Sequence, residues 1–397
     1  MYMYKPPSSF KRRESQKDSQ NEPIAKKSLF SKHVTSALDR NKVSDRESLR
    51  LMVPISSALG HDPSSLPLSR STIQRKRKEG RKAVFEEIKQ CVSFDDPVIV
   101  HWDGKILPDI LGTDKVDRLP VLVSADGKEK LLGVPKLVRG TGANAANAVY
   151  NVLSEWGLEN KIVGMCCATT SVNTGFKNGA CVMLEHKIGE ELLWLPCRHH
   201  ILEIVLSKVF TLCFGPSSGP DIPLFKRFKV AWPLIHKENY QPLEKAPGSE
   251  NLKLNAVNAL LVVLGRNKQP RDDYMELIEM TLLALGHTPY KIHWRAPGAV
   301  HHARWMAKLL YAIKIHLFRE EDSFKTTQKE KLQLERFVNF GALVYVKYWF
   351  EAPMATNAAW ADLCLWKDMT NYGIIDSQIS EVVKNAINLI FGTSRMS

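Results

Sequence analysis

The chain has 397 residues, a size that suits two or three domains rather than one. Its hydrophobic fraction of 44% is enough for a sizeable core, and its net charge of +13 favours a polyanionic partner, nucleic acid or an anionic membrane surface. No apolar run is long enough to span a bilayer, no apolar leader follows Met1, and seven scattered cysteines do not form a disulfide framework, so a reducing compartment and no membrane association are expected.

The positive charge is concentrated at the front. Residues 1–94 hold 20 Lys or Arg against 10 Asp or Glu, a surplus of +10 that leaves +3 for the rest. The stretch 1–47 is polar, rich in Ser and Lys and poor in apolar residues, which predicts a disordered basic tail. Lys11, Arg12 and Arg13 form one basic cluster in it. Residues 48–94 read as a small basic helical segment: Asp62-Pro63-Ser64-Ser65 marks a loop, and Ser71-Thr72 caps a helix through Gln90 with Ile73, Val84, Phe85 and Ile88 as its apolar positions. Gly80 weakens that helix. Arg75, Lys76, Arg77, Lys78, Arg81 and Lys82 make it a candidate for contacts to DNA phosphates, or with the first cluster a nuclear address; a solvated helix face is the competing reading.

From residue 97 the pattern changes. Val98 to Trp102 reads as a buried strand ending at Asp103, and 119–124 as a second strand. Asp126-Gly127 signals a hairpin into a third strand over 131–138. A helix over 143–156 ends at Gly157. A strand at 162–167, a helix at 174–187, a strand at 192–195 and a helix at 199–210 follow. Three hairpin-linked strands followed by helix, strand, helix, strand and helix is the element order of the ribonuclease H-like fold, and the last two strands, each reached through a helix, should be parallel. An α/β core is therefore expected over 95–214. Beyond the Gly215–Pro220 break, 215–397 reads as helical, with candidates at 251–265, 272–286, 298–318, 328–350, 355–371 and 376–391.

Few residues offer chemistry. Asp103, in Trp102-Asp103-Gly104-Lys105, stands at a strand end, where carboxylates converge in two-metal phosphodiester chemistry; a turn aspartate is the alternative. Cys197 and His200 form a Cys-x-x-His pair, but zinc needs four ligands and no second pair lies near, so a packed strand-to-helix junction is favoured. Gly140-Thr141-Gly142-Ala143-Asn144-Ala145 matches a dinucleotide fingerprint formally, with Glu159 downstream, yet the strand before it leaves a hairpin, whereas that fold needs a parallel crossover. His301 and His302 read as helix-surface histidines, and Trp294, Trp305, Trp349, Trp360 and Trp366 as core residues.

Four segments, in order over roughly 95–350, give the chain a resemblance to the hAT superfamily of DNA transposases. Trp102-Asp103-Gly104-Lys105 looks like the first catalytic aspartate, Ala168-Thr169-Thr170-Ser171-Val172-Asn173-Thr174-Gly175 like the second acidic segment, Cys197-Arg198-His199-His200 like the Cys-x-x-His motif, and Ala303-Arg304-Trp305-Met306 like the Arg-Trp segment of the helical insertion. The resemblance implies a cut-and-paste transposase with a ribonuclease H-like core, a helical insertion, three carboxylates and Mg²⁺ or Mn²⁺. Here the second position is Ala168, without a side-chain oxygen, and neither Glu351 nor Glu381 can be tied to the third. With the chain stopping at Ser397 soon after what reads as the insertion, a truncated, decayed or repurposed transposase is expected. The reading is a nuclear, double-stranded-DNA-binding protein, catalytically inactive, possible as a homo-oligomer. The alternatives are an active strand-transfer nuclease and a dimerising interaction module.

Overall fold

The computed structural model describes residues 29–108, 115–125, 127–217, 222–265, 269, 271–298, 305–352 and 358–392. It divides the chain into two compact units, Met1–Ser93 and Phe94–Ser397.

The first unit contains three helices, α1 (Lys32–Arg40), α2 (Asp45–Ala58) and α3 (Arg70–Cys91). Ser31 caps α1 with its side chain, and Ser44 and Glu47 close a reciprocal capping box on α2. Phe30, Met52 and Ile73 form the small core, with Val34, Leu38, Leu49 and Leu68 packed against it. The tail predicted over 1–47 thus gives way to structure by residue 30: four-residue spacing of Phe30, Val34 and Leu38 builds one apolar face despite the polar composition. Residues 1–28, with Lys11, Arg12 and Arg13, lie outside the described residues. The cap of α3 is Ser69, two residues before the expected position. Gly80 has a packing reason: a Cβ there would sit 2.3 Å from Thr35 Oγ1, so the glycine lets α1 and α3 approach closely.

The second unit is mixed α/β. Its five-stranded sheet has the order β5-β4-β1-β6-β7, built from β1 (Val98–Trp102), β4 (Val121–Ala125), β5 (Lys128–Gly133), β6 (Ile162–Cys167) and β7 (Leu193–Pro196). β1, β4 and β5 pair antiparallel, while β1, β6 and β7 pair parallel, as expected for strands reached through helices. The third strand lies earlier than 131–138, because Leu131 to Gly133 already complete its pairing with β4. A separate two-stranded ribbon, β2 (Lys105–Pro108) with β3 (Lys115–Arg118), leaves the end of β1. Sequence patterning missed it, since neither four-residue strand has an alternation long enough to read.

Helices α4 (Gly142–Trp156), α5 (Ser171–Thr174) and α6 (Ala180–Ile188) follow in order with β6 among them. Thr141 caps α4, and Gly157, at φ +65, ends it in the left-handed conformation. The expected helix over 174–187 is broken: α5 stops at Gly175, where ψ turns to 127°, and α6 restarts after Gly179, and a Cβ on either glycine would stand 2.7 or 2.4 Å from backbone oxygens. α7 (Arg198–Phe214) leads out of β7 into the helical region: α8 (Pro223–Ala231), α9 (Glu250–Leu264), α10 (Asp272–Ala284), α11 (Trp305–Leu317), α12 (Gln328–Phe340), α13 (Val346–Glu351), α14 (Ala358–Tyr372) and α15 (Ser377–Gly392). A π-helical turn, Gly341–Tyr345, joins α12 to α13, so the stretch predicted as one helix over 328–350 is continuous but not uniformly α. Ile201, Leu202, Val205, Leu206, Val209 and Phe210 put α7 inside the helical core, which ties 95–214 and the helices beyond it into one unit.

Candidate functional site

The site begins where β1 and β6 end. In their parallel register Trp102 faces Cys167. The next residues, Asp103 and Ala168, therefore leave the sheet side by side on strands about 4.8 Å apart. Asp103 is exposed, 65% by side chain, with Lys105 Nζ 3.9 Å away. Position 168 carries only a methyl group.

Asn173 braces the two strand ends. Its Oδ1 accepts from Trp102 Nε1 at 3.0 Å, and its Nδ2 donates to the Ala168 carbonyl at 2.9 Å. The Trp102 ring is buried, so the indole N–H needs that partner. Gly142 explains the glycine-rich turn: a Cβ there would lie 2.1 Å from the Asn178 carbonyl oxygen and 2.8 Å from that of Val172. The turn is a packing contact between α4 and the α5–α6 connection, consistent with the antiparallel strand before it.

The Cys197–His200 segment opens α7. Cys197 is its N-cap residue, and its backbone N–H donates to the Cys167 carbonyl at 2.9 Å. Burial pushes the Cys197 thiol up, against the pull of the His200 and His199 backbone N–H groups, and the Asp103 charge adds to the rise. Burial pushes His200 down while Asp103 pulls it up, which sets all three groups in one electrostatic neighbourhood. His199 turns the other way: its Nε2 donates to the Trp349 carbonyl at 2.9 Å, and its ring stands 4.3 Å from the Trp349 ring. Arg198 donates to the Pro196 carbonyl at 2.5 Å and to Asp362 Oδ2 at 2.6 Å. The segment is a junction binding the sheet to α13 and α14. Among the described residues no group of three or more His, Cys, Asp or Glu is placed to hold a metal ion.

Two carboxylates had no signal in the sequence. Glu203, one turn beyond His199, accepts from the backbone N–H groups of Trp305 and Met306 and, at 3.4 Å, from the Tyr345 hydroxyl. Burial raises its pKa against those donors. It holds the start of α11, which also fixes Trp305, whose ring lies 5.4 Å from Phe210 and 3.7 Å under Lys308 Nζ. Asp117, on β3, brings Oδ1 to 3.9 Å from where a Cβ on Gly104 would stand, next to Asp103. Arg304, His301 and His302 lie outside the described residues. Trp294, Trp305 and Trp349 pack against the helical core, but Trp360, 72% exposed, and Trp366, 39% exposed, are not core residues; Trp360 lines an open groove with residues of α9 and α13.

In the first unit the six basic residues of α3 separate. Arg77 points inward, bonded to Asp39, to Asp45 Oδ1 at 2.7 Å and to the Val43 carbonyl at 2.9 Å. Arg81 Nε donates to Asp39 Oδ2 at 2.7 Å, and Lys76 to Glu79 at 2.8 Å. Arg75, whose Nε lies 3.9 Å from Glu79 Oε1, faces outward with Lys78 and Lys82, opposite the buried Ile73, Arg77 and Gly80. Composition cannot distinguish the locked cations from the outward ones; helical phase does.

No protein-family model matches this chain, and no curated protein sequence matches it.

Proposed function

We propose that this chain is a transposase-derived protein of hAT-like descent that binds duplex DNA in the nucleus without catalysing strand transfer. The observation that carries the binding is the outward ridge Arg75, Lys78 and Lys82 on a 22-residue helix whose inner face is clamped by the Arg77–Asp39–Asp45 network. A rigid helix presenting cations at one face suits contacts to phosphates along a groove. The ribonuclease H-like reading of the second unit is supported by its element order: three antiparallel neighbours, then two parallel strands, each reached through helices.

The donor set does not fit two metal ions. Two-metal catalysis requires several carboxylates converging on ions about 4 Å apart. Asp103 has a methyl group beside it at position 168, and Asp117 is the carboxylate next to Gly104.

The test is fluorescence anisotropy of labelled duplex DNA against salt, for the full chain and for the triple Arg75→Gln, Lys78→Gln, Lys82→Gln variant. Each lost phosphate contact reduces the log–log salt slope by about 0.9, so a reduction of about 2 to 3 is expected, with weaker binding at low salt. An unchanged slope and affinity would remove α3 from the interface. Mn²⁺-dependent cleavage of the duplex by the unaltered chain would overturn the inactive reading.

A further inference from the structure

We propose that Cys167 and Cys181 are a redox pair, closing a reversible disulfide that staples the end of β6 to the first turn of α6.

The two sulfur atoms already touch, with Sγ to Sγ at 3.5 Å and one thiol donating to the other. A disulfide has its sulfurs about 2.05 Å apart, so the pair must close by about 1.5 Å, a displacement that side-chain rotation and a small slide of a short helix provide. Cys167 is the last residue of β6 and Cys181 the second of α6. Both are buried, at 1% and 7% exposure, on the helix-covered side of the sheet. Cys166 points to the opposite face by strand alternation and takes no part in the contact.

The Trp194 indole N–H is buried and has no hydrogen-bond partner among the described residues. Trp194 and Cys167 lie on the same face of the paired strands, since Met165 faces Trp194 and Cys167 faces Pro196. The Cys181 thiol and burial together push the Cys167 thiol well above its ordinary pKa, with the Trp194 indole N–H pulling the other way.

The oxidant is a small disulfide such as oxidised glutathione. The Cys181 thiolate, on the more exposed residue of the pair, attacks one glutathione sulfur and expels glutathione thiolate. The Cys167 thiolate then attacks the Cys181 sulfur of the mixed disulfide and expels the second glutathione thiolate. Two thiol protons pass to the two released thiolates, two electrons pass to the oxidant, and one protein S–S bond forms. The bond closes the segment 168–180, which contains Ala168 and the bracing Asn173, and so makes the setting of the candidate site dependent on thiol redox state.

The full chain is incubated with a graded ratio of oxidised to reduced glutathione, alkylated, digested with trypsin without reduction and analysed by mass. Cleavage after Lys161, Lys177 and Lys187 places Cys167 in the peptide 162–177 and Cys181 in 178–187. The expected product is these two peptides joined, two hydrogens lighter than their sum, and released by dithiothreitol. The link should persist in Cys166→Ser and vanish in Cys167→Ser, which should instead retain glutathione on Cys181. Exposed Cys91 is the internal control for reagent activity. Glutathione on Cys91 with Cys167 and Cys181 still free, or a dominant link from Cys166 to Cys197, would overturn the proposal.

Discussion

His316 offers a quantitative test of how the helical core tolerates acid. The side chain is 1% exposed near the end of α11, and neither ring nitrogen has a hydrogen-bond partner among the described residues. Burial, helped by the charge of Arg319, lowers its pKa from 6.5 to about 3. Because the folded-state value lies below the unfolded one, the unfolded chain takes up the proton first. Stability is present above pH 6.5 and is lost as the pH falls toward about 3. At pH 4.5, two units below the ordinary value and about 1.36 kcal/mol per unit, the loss from this residue is about 2.7 kcal/mol. His316→Leu removes the titration and also an unpaired buried imidazole, so at pH 7.5 it should be neutral or stabilising by about 1–3 kcal/mol. The assay is urea unfolding of both proteins at pH 7.5 and 4.5, read as the difference between them so that other titrating groups cancel. The variant should gain about 2.7 kcal/mol on the parent over that interval. Equal pH dependence in the two proteins would refute the argument, and would mean that the ring is hydrated or paired when folded.

Three other outcomes are expected. Asn173→Ala leaves the Trp102 indole N–H and the Ala168 carbonyl unpaired and should cost about 2–4 kcal/mol by denaturant unfolding, whereas removing the Lys78 side chain, outward on α3, should stay within about 0.5 kcal/mol. Arg77→Ala strips two aspartates of a largely buried cation and should cost about 3 kcal/mol, the low end for a broken buried pair because Arg81 still reaches Asp39; circular-dichroism melting with native DNA-binding salt dependence at low temperature separates this from loss of a phosphate contact. Ala168→Asp adds a carboxylate on the strand end beside Asp103 and should bind Mn²⁺ at least about ten-fold more tightly than the parent by electron paramagnetic resonance titration; equal binding would mean that the two strand ends do not converge.

How much was legible follows the length over which each pattern repeats. β1 and β6 are continuous apolar runs and α4 has a cap, an apolar face and a terminal glycine, so their spans read correctly to within a residue or two. β2 and β3 are too short for alternation, and the break between α5 and α6 lies in backbone geometry at Gly175 and Gly179 that only three dimensions reveal. At the site, Asp103 and position 168 could be singled out by motif, but their adjacency comes from strand register. Glu203 and Asp117 are acidic residues without a motif; one is identified by the helix start it holds, the other by its neighbours after the ribbon folds back. On α3 the run of cations was plain, while the inward turn of Arg77 required knowing where α1 and α2 pack.

The π-helical turn at Gly341–Tyr345 determines more than its own five residues. Gly341 sits there against Leu309, whose Cδ1 would be 2.3 Å from an added Cβ. Wider hydrogen-bonded rings hold an extra residue per turn compared with the α-helices on either side. Deleting one residue from it would restore ordinary α spacing and leave the helix beyond in nearly the same phase, because the wide turn already absorbs that residue, whereas the same deletion within α12 would rotate everything downstream by about 100°, with a retreat of about 1.5 Å along the axis. The Trp349 carbonyl would then leave His199, and Lys347 would leave Asp368. The turn thus works as a phase buffer in an otherwise continuous rod: a single-codon deletion is taken up within those five residues, while the same deletion earlier in α12 becomes a rotation of the site's outer wall rather than a change in its length.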